Sequence, residues 1–154
     1  VLCNLIKPTL GSIKITDNTN LGFFLNDMHF INDFNAIETL EDISTTKLDK
    51  KEISILLNKL DLLKDGKLEI KNYSENMLKK LGIICTTLNN NKIILIEDVF
   101  KSLTPSDIDA VRIFLLNLKR NGYLIIITGR QKEKFTYFAD KIYELESGTL
   151  NEIL

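Results

Sequence analysis

The 154 residues are 44% hydrophobic and 27% charged, with a formal net charge of −1. That length supports one domain with a sizeable core, and the composition is that of a globular chain rather than a disordered one. Acids and bases are interspersed, so no basic field speaks for nucleic acid or an anionic membrane as a partner. No apolar run approaches the roughly 20 residues that span a bilayer, and no signal-peptide pattern is present. Cys3 and Cys85 stand far apart without C-x-x-C spacing. That points away from a zinc site or a disulfide framework and toward a reduced, cytosolic setting.

In chain order, VLCNLIKPTLG reads as the tail of an apolar helix stopped by Pro8 and Gly11. SIKI (12–15) reads as a short alternating strand, followed by a turn at Asp17, Asn18 and Asn20. LGFFL (21–25) is a second apolar strand leading into the polar loop Asn26-Asp27. From about Phe34 to Leu88 the texture turns helical. Asp49 and Glu52 make a capping box, and Ile53, Leu56, Leu57 and Leu60 form one apolar face. Met77, Leu78, Leu81, Ile84, Cys85 and Leu88 form another, on a helix predicted to begin close to Ser74. After Asn89-Asn90-Asn91 the spacing predicts a strand over 92–97 and a helix capped by Thr104, with Pro105 in its first turn and Asp107 closing a capping box. Its core face is Ile108, Val111, Leu115 and Leu118, and Gly122 ends it. Strand 123–128, helix 131–138, strand 141–145 and the turn Ser147-Gly148 complete the pattern. The whole reads as a parallel α/β core interrupted by a mostly helical insertion.

The most informative stretch is Lys92–Pro105, KIILIEDVFKSLTP. Ile93, Ile94, Leu95 and Ile96 read as a strand buried on both faces of a parallel sheet. That strand delivers Glu97 and Asp98 at its carboxyl end, where ligands bind in open α/β sheets. Two acids there can hold a hydrated magnesium ion and orient a water against a phosphate. The same residues also suit a strand that ends in solvent and carries acids for solubility.

The order of these segments resembles the nucleotide-binding domain of ATP-binding cassette (ABC) transporters, a P-loop NTPase fold of RecA-like type, over nearly the whole chain. IKPTLGSIKI is similar to the family segment that follows the phosphate-loop helix, and LGFFLN (21–26) to the strand whose loop carries a Gln, placing Asn26 at the Gln position. NAIETL (35–40) resembles the opening of the helical subdomain, and YSENM (73–77) lies where the family has its LSGGQ-type signature. IILIEDVFKSLTP lies at the Walker B strand and the turn after it, LIIITGR (124–130) at the switch strand, and ADKIYELESGTL (139–150) at the family's ending. The resemblance implies a core over 1–34 and 89–154 with a helical subdomain over 35–88. It implies ATP and Mg2+ as ligands, a transmembrane permease subunit and a second ATPase domain as partners, and a place at the inner face of the cell membrane. Glu97 takes the magnesium position and Asp98 the catalytic-acid position, while Asn26, Ser74, Glu75 and Asn76 take nucleotide-facing positions and Arg130 the switch position.

The departures are as specific as the matches. No G-x-x-x-x-G-K-[ST] loop occurs, and Gly66-Lys67, with Asp61 where a first glycine is needed and Leu68 in place of Ser or Thr, reads as a surface turn. Without that loop the backbone nest and Lys that supply most triphosphate affinity are missing. In the family the loop lies just upstream of the segment where this chain begins, and Val1 is not a Met, so a fragment is expected. The signature has lost both glycines. Glu75 stabilises a helix N-terminus by about 0.3–1 kcal/mol but opposes an incoming phosphate. The acids are reversed in order, and Asp98 is one methylene short of the family's Glu; a misplacement of about 1 Å can cost on the order of 100-fold in rate. Arg130 cannot relay a proton but can pair with phosphate oxygens, and Thr104 replaces the family's D-loop Asp.

The remaining features resolve to structural readings. His29 reads as a surface residue, Tyr73 as a packing residue and Asp140 as a turn residue, and Lys50-Lys51 and Lys79-Lys80 as solvated lysines opposite the apolar stripes. Two expectations about chemistry stay open: an ATPase subunit that is weak or inactive as it stands, and a non-hydrolysing relative acting as a regulatory or heterodimer partner. A third, from another class, is a receiver-type phosphoacceptor domain using Asp98, Thr128 and Lys141.

Overall fold

The computed structural model of the protein describes residues 6–14 and 20–154. Three strands form a parallel sheet in the order β1 (Asn20–Phe24), β2 (Asn91–Ile96) and β3 (Leu124–Ile127). Cross-strand rows run Gly22–Ile94–Ile125 and Phe24–Ile96–Ile127 on one face, and Leu21–Ile93–Leu124 and Phe23–Leu95–Ile126 on the other. The first face, with Ile94 and Ile96 fully buried, carries the core; the residues of the other face stand outside the core cluster. The three strands predicted at 21–25, 92–97 and 123–128 are therefore present, with each end displaced by one residue. Of the predicted strand 12–15, residues 12–14 hold no strand. Ile15, Asp17 and Asn18, and residues 1–5 of the predicted helix tail, lie outside the described residues.

Parallel strands need long crossovers. The β1–β2 crossover is the helical insertion, made of α1 (Ala36–Ile43), α2 (Lys50–Asn58) and α3 (Glu75–Cys85). Two capping boxes set where helices start. Asn35 Oδ1 accepts from the Ile37 and Glu38 N–H groups while Glu38 Oε2 accepts from Asn35 N–H at 2.8 Å. Asp49 and Glu52 exchange the same pair of bonds at 2.7 and 2.8 Å. Caps of this kind are worth about 1 kcal/mol each. Gly66-Lys67 lies in the turn after a short 3-10 segment, Leu63–Asp65, as expected of a turn. The β2–β3 crossover is α4 (Pro105–Arg120), whose N-cap Thr104 accepts from Asp107 N–H at 3.3 Å.

One continuous core joins both parts. Leu40, Leu57, Leu60 and Leu62 of the insertion meet Leu81, Ile83 and Ile84 of α3, and these meet Ile94, Ile96, Val111 and Leu115 of the sheet layer. Helix α3 is thus shared between insertion and sheet. It lies so close to β1 that a Cβ on Gly82 would stand 2.4 Å from the Phe24 ring, and one on Gly22 would stand 2.0 Å from the Thr86 carbonyl oxygen.

Two predicted elements differ. Residues 131–138 form only a 3-10 turn at Lys132–Lys134, with no side chain capping it. Their apolar residues enter the core as an aromatic cluster instead: Phe135 and Phe138 stand 5.3 and 5.9 Å from the Phe100 ring. The predicted strand 141–145 becomes β4 (Tyr143–Glu146), which pairs antiparallel with β5 (Thr149–Glu152) and not with the parallel sheet. Ser147 and Gly148 turn it at φ +49° and +81°, the pair of positive φ values that two-residue hairpins require.

Candidate functional site at the carboxyl ends of the strands

All three parallel strands deliver their carboxyl ends to one side of the sheet, where α/β folds place ligands. β1 leads to Asn26, β2 to Glu97 and Asp98, and β3 to Thr128, Gly129 and Arg130. Backbone and side chains stitch these loops together. Asn26 N–H donates to Glu97 Oε2 at 2.9 Å, and Glu97 N–H donates to Phe24 O at 3.0 Å. Asp98 N–H donates to Thr128 Oγ1 at 3.1 Å, and Thr128 N–H to Ile96 O at 3.1 Å. Asp98 has φ +47°, a left-handed conformation that costs a non-glycine residue about 1–2 kcal/mol, less for Asp than for most. Its N–H bond to Thr128 and the Lys101 N–H bond to its carbonyl, at 2.9 Å, hold it there.

Sequence reasoning missed the group at the centre of this arrangement. Lys79, expected to be solvated, is buried. Its Nζ donates to Asn26 Oδ1 at 2.9 Å, Glu97 O at 3.1 Å and Asp98 O at 3.4 Å, and lies 5.2 Å from the centre of the Phe24 ring. Burial pulls its pKa below the ordinary lysine value, while the charges of Asp98 and Glu97 oppose that pull. Lys80 is buried as well and pairs with Asp107 Oδ1 at 2.9 Å. The expectation of a solvated lysine face failed because the next turn of α3 has no solvated face. Leu81, Gly82, Ile83 and Ile84 are all buried, in consecutive positions that cover every direction around the helix. That unbroken apolar run was the available signal.

The signature-like segment is committed to structure within the chain. Ser74 is the N-cap of α3 and accepts from Met77 N–H at 3.2 Å. Glu75 is exposed in the first turn. Asn76 turns its amide to Asp107, Nδ2 donating to Oδ2 at 2.5 Å, and its own Oδ1 is buried without a partner. Asp107 also receives the Thr104 hydroxyl. Burial works to raise the Asp107 pKa, but hydrogen bonds from Thr104, Asn76 and Lys80 outweigh it and bring the carboxyl down to about 2.

The structure therefore brings Asn26, Glu97 and Asp98 together through Lys79, while the Asn76 amide is engaged with Asp107 at the start of α3. Arg130 is exposed and makes no ion pair or side-chain hydrogen bond among the described residues. Lys141 is engaged elsewhere, on Glu152 at 3.0 Å. His29 is exposed, Tyr73 is buried, and Asp140 pairs with Lys119 at 2.6 Å.

Glu97 retains Oε1 for a ligand, and the Asp98 carboxylate has no side-chain partner among the described residues. No group of three or more His, Cys, Asp or Glu gathers among the described residues. The pair thus fits a magnesium ion that keeps waters and substrate oxygens as its other ligands, and does not form an all-protein cage.

No protein-family model matches the chain. It is 24% identical over 153 residues to an uncharacterized ABC transporter ATP-binding protein of Methanocaldococcus jannaschii, covering 96% of this chain and 58% of that one. It is 25% identical to the lantibiotic transport ATP-binding protein SrtF of Streptococcus pyogenes, with 97% and 69% covered. It is 28% identical to the lipoprotein-releasing system ATP-binding protein LolD of Rickettsia bellii, with 94% and 72% covered. The chain thus spans between about half and three quarters of these relatives' lengths. Among solved structures, an ABC transporter in an inward-facing conformation superposes with a TM-score of 0.79 at 16% identity, over 98% of this chain and 63% of that one; that likeness speaks for the fold alone. None of the helices among the described residues is long and apolar enough to cross a membrane. Over nearly its whole length the chain is homologous to the ATP-binding proteins of ABC transporters, and its fold is that of their nucleotide-binding domain.

Proposed function

We propose that the chain supplies the magnesium and γ-phosphate side of a nucleotide site in an ATP-binding subunit of an ABC transporter. The core is 1–34 with 89–154, and the helical part, 35–88, docks on a transmembrane permease subunit at the cytoplasmic face of the membrane. A second ATPase domain, the same chain or a different one, completes the site. The observation that carries this reading is the junction of Asn26, Glu97, Asp98 and Thr128 at the ends of three adjacent parallel strands, in a chain whose homologues are ATP-binding proteins.

In this reading Glu97 Oε1 ligates magnesium, Asp98 orients the attacking water and accepts its proton, and Arg130 pairs with phosphate oxygens. Bound magnesium neutralises charge on the phosphates. Asn26 fixes the Glu97 carboxylate through its N–H. The 154 residues contain no phosphate-binding G-x-x-x-x-G-K-[ST] loop, so affinity within them is weak and steady turnover is not expected. A non-hydrolysing role draws support from Asn76, whose amide is committed to Asp107 rather than free to meet a phosphate. The receiver-type reading loses support because Lys141 is held on Glu152.

Titration of the chain with a fluorescent ATP analogue, with and without Mg2+, tests the site. Weak binding that needs Mg2+ and falls at least about tenfold in Glu97→Gln is expected, one lost charged ligand being worth that much or more. Binding indifferent to both Mg2+ and Glu97→Gln would refute the assignment. Multiple-turnover ATP hydrolysis abolished by Asp98→Asn would refute the non-hydrolysing form, and phosphate transfer from acetyl phosphate to Asp98 would favour the receiver.

A further inference from the structure

Lys79 has no place in the roles just assigned, yet it is the best-connected cation of the described residues. Its three N–H bonds end on the Asn26 side-chain oxygen and the Glu97 and Asp98 carbonyls. All three acceptors are formally neutral, and no carboxylate of the described residues lies within ion-pair distance of it. Its charge is therefore spent on no single partner and acts on the whole acidic end of β2. Burying an ammonium without an ion pair is costly, and an apolar side chain would suit a helix whose next turn is buried all round. The charge beneath the acids is the feature such a replacement would lose.

We propose that Lys79 is a built-in counter-cation of the Glu97–Asp98 pair, which positions Asn26 and the two carbonyls and holds down the affinity of the carboxylates for a divalent ion. This rests on the magnesium reading of the acid pair. Two like-signed charges, the lysine's and the metal's, would then compete for one acidic strand end. The lysine keeps the loops assembled when no metal is bound. It also leaves metal binding weak, though not abolished, until substrate brings further ligands, because the two carboxylates are already partly neutralised. The stem of Lys79 rises from α3, so the helix that begins at Ser74 is tied directly to the loops of Asn26 and Glu97.

Mn2+ titration of the chain without nucleotide, at low ionic strength and with free Mn2+ read by electron paramagnetic resonance, tests the sign of the effect. Lys79→Gln removes the charge but keeps a donor; Lys79→Arg keeps the charge. Lys79→Gln should bind Mn2+ about tenfold tighter than the parent, the scale of one unit charge a few ångströms away in a partly screened site. Lys79→Arg should stay within about threefold of the parent, and the gap should close as salt is raised. A lysine that only packs would leave affinity unchanged or weaker in Lys79→Gln, and that result would overturn the counter-cation. Mn2+ binding by none of the three proteins would overturn the magnesium reading, and this proposal with it. If Lys79→Gln does not fold, Mg2+ titration of the unaltered chain tests whether the ion and the lysine act on each other: the Lys79 Cε resonance should shift in step with occupancy, and a signal unmoved at saturation would overturn the proposal.

Discussion

Replacing Asp107 by Asn tests whether the starts of α3 and α4 are held together by one carboxylate. The side chains of Lys80 and Asp107 are only 9% and 16% exposed, and the Asn76 amide and Thr104 hydroxyl converge on the same group. An asparagine offers one oxygen in place of two and turns an amide donor toward donors. Lys80 is left charged, buried and unpaired, a situation that costs about 3–5 kcal/mol when burial is complete. With residual exposure on both partners, the expected loss is about 2–4 kcal/mol. Equilibrium urea unfolding followed by far-ultraviolet circular dichroism reads it; at a slope of about 2 kcal/mol per molar urea the midpoint falls by about 1–2 M. The double variant Lys80→Met with Asp107→Leu removes the charge along with its partner and should recover part of the loss, the Asn76 amide and Thr104 hydroxyl still lacking their acceptor. A loss below about 0.5 kcal/mol in Asp107→Asn, in the range of exposed pairs, would refute the reasoning and leave the contact a solvated one.

Three further outcomes follow from the same structure. The Asp107 carboxyl is held at about 2, below its ordinary value of 3.8; a depressed carboxyl stabilises the fold above its unfolded pKa and loses that contribution as pH falls through about 2. Stability between about pH 4 and pH 2 should therefore fall by on the order of 1 kcal/mol more in the parent than in Asp107→Asn, after allowance for screening, and parallel acid titrations of the two would contradict the assignment. Gly82→Ala meets a phenyl ring that can shift, at an expected cost of about 1–3 kcal/mol; Gly22→Ala meets the Thr86 backbone, which cannot yield, and must cost more. A midpoint order opposite to this in thermal unfolding would contradict the close packing of α3 on β1. Asp98→Gly relieves a left-handed backbone that Asp98→Ala retains, so the glycine variant should be about 1 kcal/mol more stable than the alanine variant in urea unfolding; equal midpoints would show that Asp98 is unstrained.

What the sequence made legible was carried by local signals. Four consecutive apolar residues, Ile93 to Ile96, marked a central parallel strand, and side-chain oxygens at Asp49, Ser74 and Thr104 marked the starts of three of the four helices; the Asn35 cap of the fourth was not read from the sequence. The acids Glu97 and Asp98 were placed because they follow that strand directly. What was not legible depended on partners far along the chain. Lys79 and Lys80 read as solvated because a charge is a surface signal, and only the packing of α3 on both sides reverses it. Phe135 and Phe138 read as helix residues because their spacing suits one, until Phe100 draws them into an aromatic cluster. Strand 141–145 kept its strand character but found its partner in the residues just after it, which no periodicity distinguishes from a place in the main sheet.

Consecutive residues on an α-helix point about 100° apart, so Lys79 and Lys80 leave α3 in different directions and reach the Asn26–Glu97 loops and Asp107. Two anchors at different azimuths leave the helix a single angular setting, as two keys in adjacent slots fix a shaft. Adding or deleting one residue between Asn76 and Lys79 would turn the start of the helix by that same angle against the fixed lysines and break the Asn76–Asp107 contact. Chain length in that turn is therefore constrained more tightly than residue identity, and a library of this segment should tolerate exchanges at exposed Glu75 far better than any change in spacing.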